Sequence, residues 1–149
     1  MCAAAVANKT LTTLIKLYRR RLDELRRAMV ALENEKSQLQ LASARLQQEL
    51  EDEIRKATEQ PEMGHFFGGF ATRIQQRQEE LASAIHEIDM KIRKLNDDIS
   101  EAFTDVKKYE IAQDNQKKRE AQEALRKETI MLDELASQQH RRQREESSE

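Results

Sequence analysis

Residues 22–50 read LDELRRAMVALENEKSQLQLASARLQQEL. Leu22, Leu25, Met29, Leu32, Leu39, Leu46 and Leu50 recur at alternating steps of three and four, with Lys36 and Ser43 in the same phase. That spacing lays one apolar stripe along an α-helix and marks a coiled-coil seam. Residues 81–109, LASAIHEIDMKIRKLNDDISEAFTDVKKY, keep the rhythm through Leu81, Ile85, Ile88, Ile92, Leu95, Ile99, Ala102, Val106 and Tyr109. Between the stripes lie the single proline, Pro61, and all three glycines, Gly64, Gly68 and Gly69. A chain folded at that breaker pairs its stripes in antiparallel fashion, Leu25 with Val106, Leu32 with Ile99, Leu39 with Ile92 and Leu46 with Ile85. The fold expected is all-α, one long antiparallel two-helix coiled-coil hairpin spanning residues 1–149. Helix one is expected over about 10–60, the turn over about 61–69 and helix two over about 70–146, its C-terminal part overhanging.

Composition narrows the function. Of 149 residues 36% are charged and only 4% aromatic, which with a seven-residue repeat indicates a coiled coil rather than a globular core. A two-helix seam is too thin to enclose a substrate pocket. The net charge of −2 gives no global preference for nucleic acid, and no aromatic platform accompanies the basic clusters. The lone Cys2 cannot form an internal disulfide and suits a reducing compartment. No apolar run approaches the roughly 18 residues that span a bilayer, and the alanine-rich start lacks the features of a signal peptide. The expectation is a cytosolic protein without direct membrane insertion.

Individual layers carry further expectations. Met29 opposite Ala102 and Ser43 opposite Ile88 set large against small. Lys36 is expected opposite Leu95, its stem covering the leucine while the ammonium reaches water. Glu53 opposite Gln78 would make a polar layer near the turn. Leu14, Tyr18 and Leu22 step by four and four, a stutter that relaxes the supercoil. Past Tyr109 the seam positions become Gln113, Gln116, Glu120, Glu123 and Lys127, so the base of the hairpin should splay or pair loosely.

With Leu11 level with Glu120, nothing on helix one remains to cover residues beyond about Ala121. Yet a new apolar stripe starts there: Ala121, Leu125, Leu132 and Leu135, flanked by Ile130 and Met131. Leu125, Arg126, Met131, Leu132 and Leu135 are therefore candidate partner-binding residues. A second candidate surface is the turn, where Phe66, Phe67 and Phe70 either cap the open seam or meet a partner. Basic residues gather at the termini end, Arg19, Arg20, Arg21, Arg26 and Arg27 on helix one, with Lys107, Lys108, Lys117, Lys118, Arg119, Arg126, Lys127, Arg141, Arg142 and Arg144 on helix two. They read either as a solvated face among Asp23, Glu24 and Glu120 or as an electropositive base for an acidic partner.

Nothing in the sequence signals catalysis, a cofactor or a metal. His65, His86 and His140 are far apart in any hairpin. His86-Glu87 resembles the start of a zinc-protease helix, but Met90 stands where the second ligand belongs. No glycine-rich phosphate loop ends in Lys-Ser or Lys-Thr, and carboxylates on a solvated rod lack the burial that tunes a general acid. A non-enzymatic protein is expected.

The layout resembles the FliJ family of flagellar type III export proteins. The resemblance covers nearly the whole chain: a leucine-periodic helix one, a mid-chain loop and a longer helix two. Its more specific part is Lys107-Lys108-Tyr109-Glu110, followed by a Glu-rich segment and Asp133-Glu134-Leu135-Ala136. The family looks like the coiled-coil part of the rotary ATPase gamma subunit. The resemblance implies a cytoplasmic stalk, peripheral to the inner membrane, whose termini end sits in the hexameric flagellar export ATPase and promotes ring assembly. It further implies contact with the membrane-embedded export gate and with export substrate chaperones. The related stalk of virulence type III secretion is one alternative. A scaffolding coiled coil that homo-oligomerises through the Leu125–Leu135 stripe is another.

Overall fold

The computed structural model describes residues 2–146. They form two long helices, α1 over Cys2–Glu59 and α2 over Gly64–Glu146, joined by Gln60 and a single 3-10 turn, Pro61–Met63. No strand occurs among the described residues. The polar tail is helical as far as Glu146, the expected end of helix two, and residues 147–149 lie outside the described residues, as does Met1.

α1 starts eight residues before the expected Thr10. The alanines that follow Cys2 are the strongest helix formers. Three threonines that should weaken the next turns are accommodated by back-bonding. The hydroxyls of Thr10, Thr12 and Thr13 donate to the carbonyls of Val6, Asn8 and Lys9 at 2.9, 2.9 and 3.0 Å. α1 ends because Gln60 precedes Pro61. The proline ring drives its predecessor out of the helical region, and Gln60 sits at φ −129°, ψ 81°. The Gln60 N–H still donates to Lys56 O at 2.9 Å, closing the last turn.

The expected turn over 61–69 is too long. Gly64, Gly68 and Gly69 are helical, none with positive φ, and belong to the first turns of α2. The proline alone breaks the chain. Shortening the turn by about two helical turns moves the register.

The chain falls into two compact units. The turn unit is Arg19–Phe103, and the terminal unit combines Met1–Tyr18 with Thr104–Glu149. In the turn unit the expected seam positions are those withdrawn from solvent. Leu22, Leu81, Ile88 and Ala102 are buried, while Leu25, Met29, Leu32, Leu39, Leu46, Leu50, Ile85, Ile92, Leu95 and Ile99 are half-buried; Ile74, outside the expected stripe, is buried as well. Their pairing differs from the expectation. Lys36 Nζ lies 2.6 Å from the carboxylate of Asp89 rather than level with Leu95, and Gln78 donates to Gln47 at 3.1 Å rather than facing Glu53. Both contacts correct the expected register by one heptad. They set Leu32 level with Ile92, Leu39 with Ile85 and Leu50 with Ile74. Ser43 comes level with Leu81 rather than Ile88, and Met29 with Leu95 rather than Ala102. The seam phase is unchanged, because a full heptad returns the same faces to one another.

The terminal unit pairs its two helical segments antiparallel as well. Gln113 Nε2 donates to Thr12 Oγ1 at 2.8 Å and to Asn8 Oδ1 at 3.3 Å. The rings of Tyr18 and Tyr109 meet at 5.1 Å, tilted by 41°. Gln113 stands near Thr12, where the expected register placed Glu120 beside Leu11, so the same one-heptad correction applies. Ile15 and Val106 are the buried aliphatic residues of this unit.

Candidate partner-binding surfaces

Two surfaces offer apolar side chains that the fold leaves uncovered, one in each unit.

In the terminal unit, seam positions of α2 remain half-buried through Gln113, Gln116 and Glu120. Of the two expectations, splaying or a looser pair, the second describes this region, where Gln113 hydrogen-bonds Thr12 and Asn8 across the pair. From Ala121 to Glu145 every residue is exposed. Leu125, Met131, Leu132 and Leu135 are 63%, 63%, 60% and 52% exposed, and Arg126 stands among them, equally in solvent. Ile130 adds a further exposed aliphatic at 59%. At 100° per residue, Ala121, Leu125, Leu132 and Leu135 share one stripe with Glu128. That stripe is rotated by roughly 100° from the side of α2 carrying Val106, Tyr109, Gln113 and Gln116. It does not prolong the seam. A partner covering it would approach α2 from a different side than α1 does. The rest of the circumference is mixed, with Gln122, Arg126, Lys127 and Asp133 beside the exposed Ile130 and Met131.

In the turn unit, the three phenylalanines do not act alike. Phe66 projects into solvent at 66% exposure, with the His65 ring 4.3 Å away. Phe67 and Phe70 are half-buried and close the end of the seam. All three phenylalanines, with Lys56, Ala57, Gln60 and Arg73, border a groove of about 500 Å³. Lys56 donates to Glu53 at 2.7 Å, and that hydrogen bond raises its ammonium above the ordinary lysine range. The expectation of capping or exposure resolves into both: Phe67 and Phe70 cap, and Phe66 is presented. This split was not readable from the sequence, because it depends on the first turn of α2 being helical.

The basic clusters are locally neutralised in part. Arg20 reaches Glu24 at 3.5 Å, Arg26 lies 4.0 Å from Asp23, and Lys107 pairs with Glu110 at 2.9 Å. These are neighbouring turns of one helix and exposed pairs of modest worth. Tyr109, within the Lys107–Glu110 motif, has its phenol pushed above the ordinary value by a side-chain hydrogen bond with Tyr18, then by the charge of that neighbour, by burial and by Asp105.

Among the described residues no group of His, Cys, Asp and Glu side chains could hold a metal ion, and no helix is long and apolar enough to cross a membrane.

The family model described as flagellar FliJ protein matches residues 8–145, nearly the whole chain, and the chain therefore belongs to the FliJ family. No curated protein and no solved structure matches it. Membership makes the chain a component of the flagellar type III export apparatus. The matched span takes in both the overhanging stripe and the turn.

Proposed function

We propose that this FliJ-family chain is a non-enzymatic stalk, whose overhanging α2 segment enters the hexameric flagellar export ATPase and promotes assembly and activity of its ring. The observation that carries the reading is the uncovered stripe of Leu125, Leu132 and Leu135, together with Met131. Burying one such leucine is worth roughly 1.5–3 kcal/mol, so three form an adequate anchor for a helix inside a ring. Arg126, Lys127, Arg141 and Arg142 on the same segment would steer it toward an acidic lumen, an effect that weakens with salt. In this reading the turn, with Phe66 presented, faces the export gate at the membrane. Export substrate chaperones are further partners, and the chain acts on the cytoplasmic side as a general export chaperone.

The test is the double variant Leu125→Asp with Leu132→Asp. Both side chains are exposed, so helicity should stay unchanged while binding to the cognate ATPase, ring assembly and motility are lost. Normal ATPase stimulation by this variant would remove the overhang from the mechanism. The same stripe also supports a homo-oligomeric scaffold. Sedimentation distinguishes the two: a monomer that binds the ATPase supports the stalk, and a stable dimer with no ATPase affinity supports the scaffold.

A further inference from the structure

Heptad repeats specify which faces meet but leave the axial register open in steps of seven. In the turn unit both the observed register and the one a heptad away give an apolar seam. The observed one sets Leu32 level with Ile92, Leu39 with Ile85 and Leu50 with Ile74. Slipped by seven, Leu32 comes level with Ile99, Leu39 with Ile92, Leu46 with Ile85 and Leu50 with Leu81. Aliphatic packing therefore chooses weakly between them.

The polar contacts do choose. Lys36 pairs with Asp89 at 2.6 Å, both side chains about one-third exposed, and Gln78 donates to Gln47 at 3.1 Å. After a one-heptad slip Asn96 takes the place of Asp89, and Ile85 takes the place of Gln78. Lys36 loses its carboxylate and Gln47 its hydrogen-bond partner.

A slip also requires slack at the turn, and the residues there can supply it. Gly64, Gly68 and Gly69 are held in helix although glycine loses more freedom there than any other residue. A Cβ at any of the three would meet nothing within 4 Å, so no close packing demands glycine at these positions. The first buried residue of α2 is Ile74, beyond the glycines, and no residue of α1 after Leu22 is fully buried.

We propose that the turn unit is a two-register device. In the compact register residues 64–69 are helical, and Lys36–Asp89 latches the seam. In the slipped register this segment unwinds and α1 moves about 10 Å along α2, one heptad at 1.5 Å per residue, and because α1 is one continuous helix the Gln113 contacts to Thr12 and Asn8 part with it. The slip releases Phe67 and Phe70 from the end of the seam, so the apolar surface at the turn depends on the register further along. A ligand favouring either form shifts the population between them.

Cysteine pairs read the register directly, because a disulfide tolerates only a narrow Cα separation. In the full chain with Cys2→Ser, the pair Leu39→Cys with Ile85→Cys reports the compact register and Leu39→Cys with Ile92→Cys the slipped one. Leu39→Cys with Met90→Cys, which points to solvent, is the control. The compact pair should close nearly completely under slow oxidation, and the slipped pair should close measurably faster than the control. Asp89→Lys, or the milder Asp89→Asn, should raise slipped-pair closure by about fivefold. Gly68→Ala with Gly69→Ala should lower it by a larger factor, about twentyfold, since each alanine holds the first turns of α2 in helix. Closure of the slipped pair at the control rate in every background would overturn the proposal. So would slipped-pair closure accompanied by loss of helical circular dichroism, because a slip conserves all but a few helical residues.

Discussion

The turn unit joins its helices through a long aliphatic seam with Leu22, Leu81, Ile88 and Ala102 buried, whereas the terminal unit buries Ile15 and Val106 and adds Gln113 with Thr12 and Asn8, and the Tyr18–Tyr109 pair. Both are antiparallel helix pairs that combine aliphatic and polar contacts, in different proportion. Aliphatic burial is non-directional and tolerates a shift that returns the same faces to each other. Hydrogen bonds between amides and hydroxyls fix position well, yet each contributes only about 0.5–1.5 kcal/mol net, because water competes for the same groups. The long aliphatic seam of the turn unit thus leaves its register degenerate, whereas the hydrogen bonds of the terminal unit fix position.

The largest effect should come from the buried seam of the turn unit. Ile88→Ala, at a site 4% exposed, is expected to destabilise by about 2–4 kcal/mol in chemical denaturation. Leu39→Ala, at a half-buried site, should lose less, since a two-helix seam can collapse or admit water. Equal losses at the two sites would mean that the seam is uniformly packed and the distinction in burial has no energetic weight.

An intermediate effect is expected in the terminal unit. Gln113→Ala removes the donor to Thr12 and Asn8 and should cost about 0.5–1.5 kcal/mol. Its signature is regional. Amide hydrogen exchange should accelerate over residues 8–18 while residues 81–102 keep their protection. Acceleration in both regions alike would show the two units opening together, and the comparison between them would fail.

These contrasts also explain which parts of the molecule the sequence discloses. The seam positions were readable, because three-four spacing of leucines and isoleucines has one physical meaning in a helix. The break at Pro61 was readable for the same reason: proline removes a donor and restricts its predecessor. The register was not. Two registers satisfy the heptads, and the polar pairs Lys36–Asp89 and Gln78–Gln47 choose between them, with glycines expected in a loop held in helix. The Lys36–Asp89 pairing was a usable signal, since a seam lysine seeks a carboxylate beside the opposing seam position. The overhang was legible through an absence, Leu125, Leu132 and Leu135 having no counterpart on α1. The division of labour among Phe66, Phe67 and Phe70 was not, because it follows from where α2 starts.

The Lys36 position gives a smaller effect with an informative sign. Both partners of the ion pair are part-exposed, so its worth is about 1 kcal/mol or less. Lys36→Leu extends the aliphatic seam and should raise the melting temperature slightly, whereas Asp89→Asn should lower it. A lower melting temperature for Lys36→Leu would mean that the ion pair outweighs aliphatic burial at this layer, and that Lys36 does not occupy the seam.

The smallest effect should appear in alkaline solution. The Tyr109 phenol is raised in the folded chain, chiefly by its hydrogen bond with Tyr18, so folding favours the protonated ring. A raised value contributes stability at every pH below the unfolded tyrosine range near 10, and that contribution is lost as pH rises through the folded value. The terminal unit should accordingly loosen above about pH 10. Lys56 is also raised, by its hydrogen bond to Glu53, and loses its contact over a similar range, but it lies in the turn unit. The two are separable by region. Alkaline exchange or proteolysis near residues 8–18 should respond to Tyr109→Phe, which removes the ionisable group, while Lys56→Gln leaves that region unchanged. An alkaline transition of the terminal segment that survives Tyr109→Phe would assign it to other groups and leave the Tyr18–Tyr109 contact a packing interaction alone.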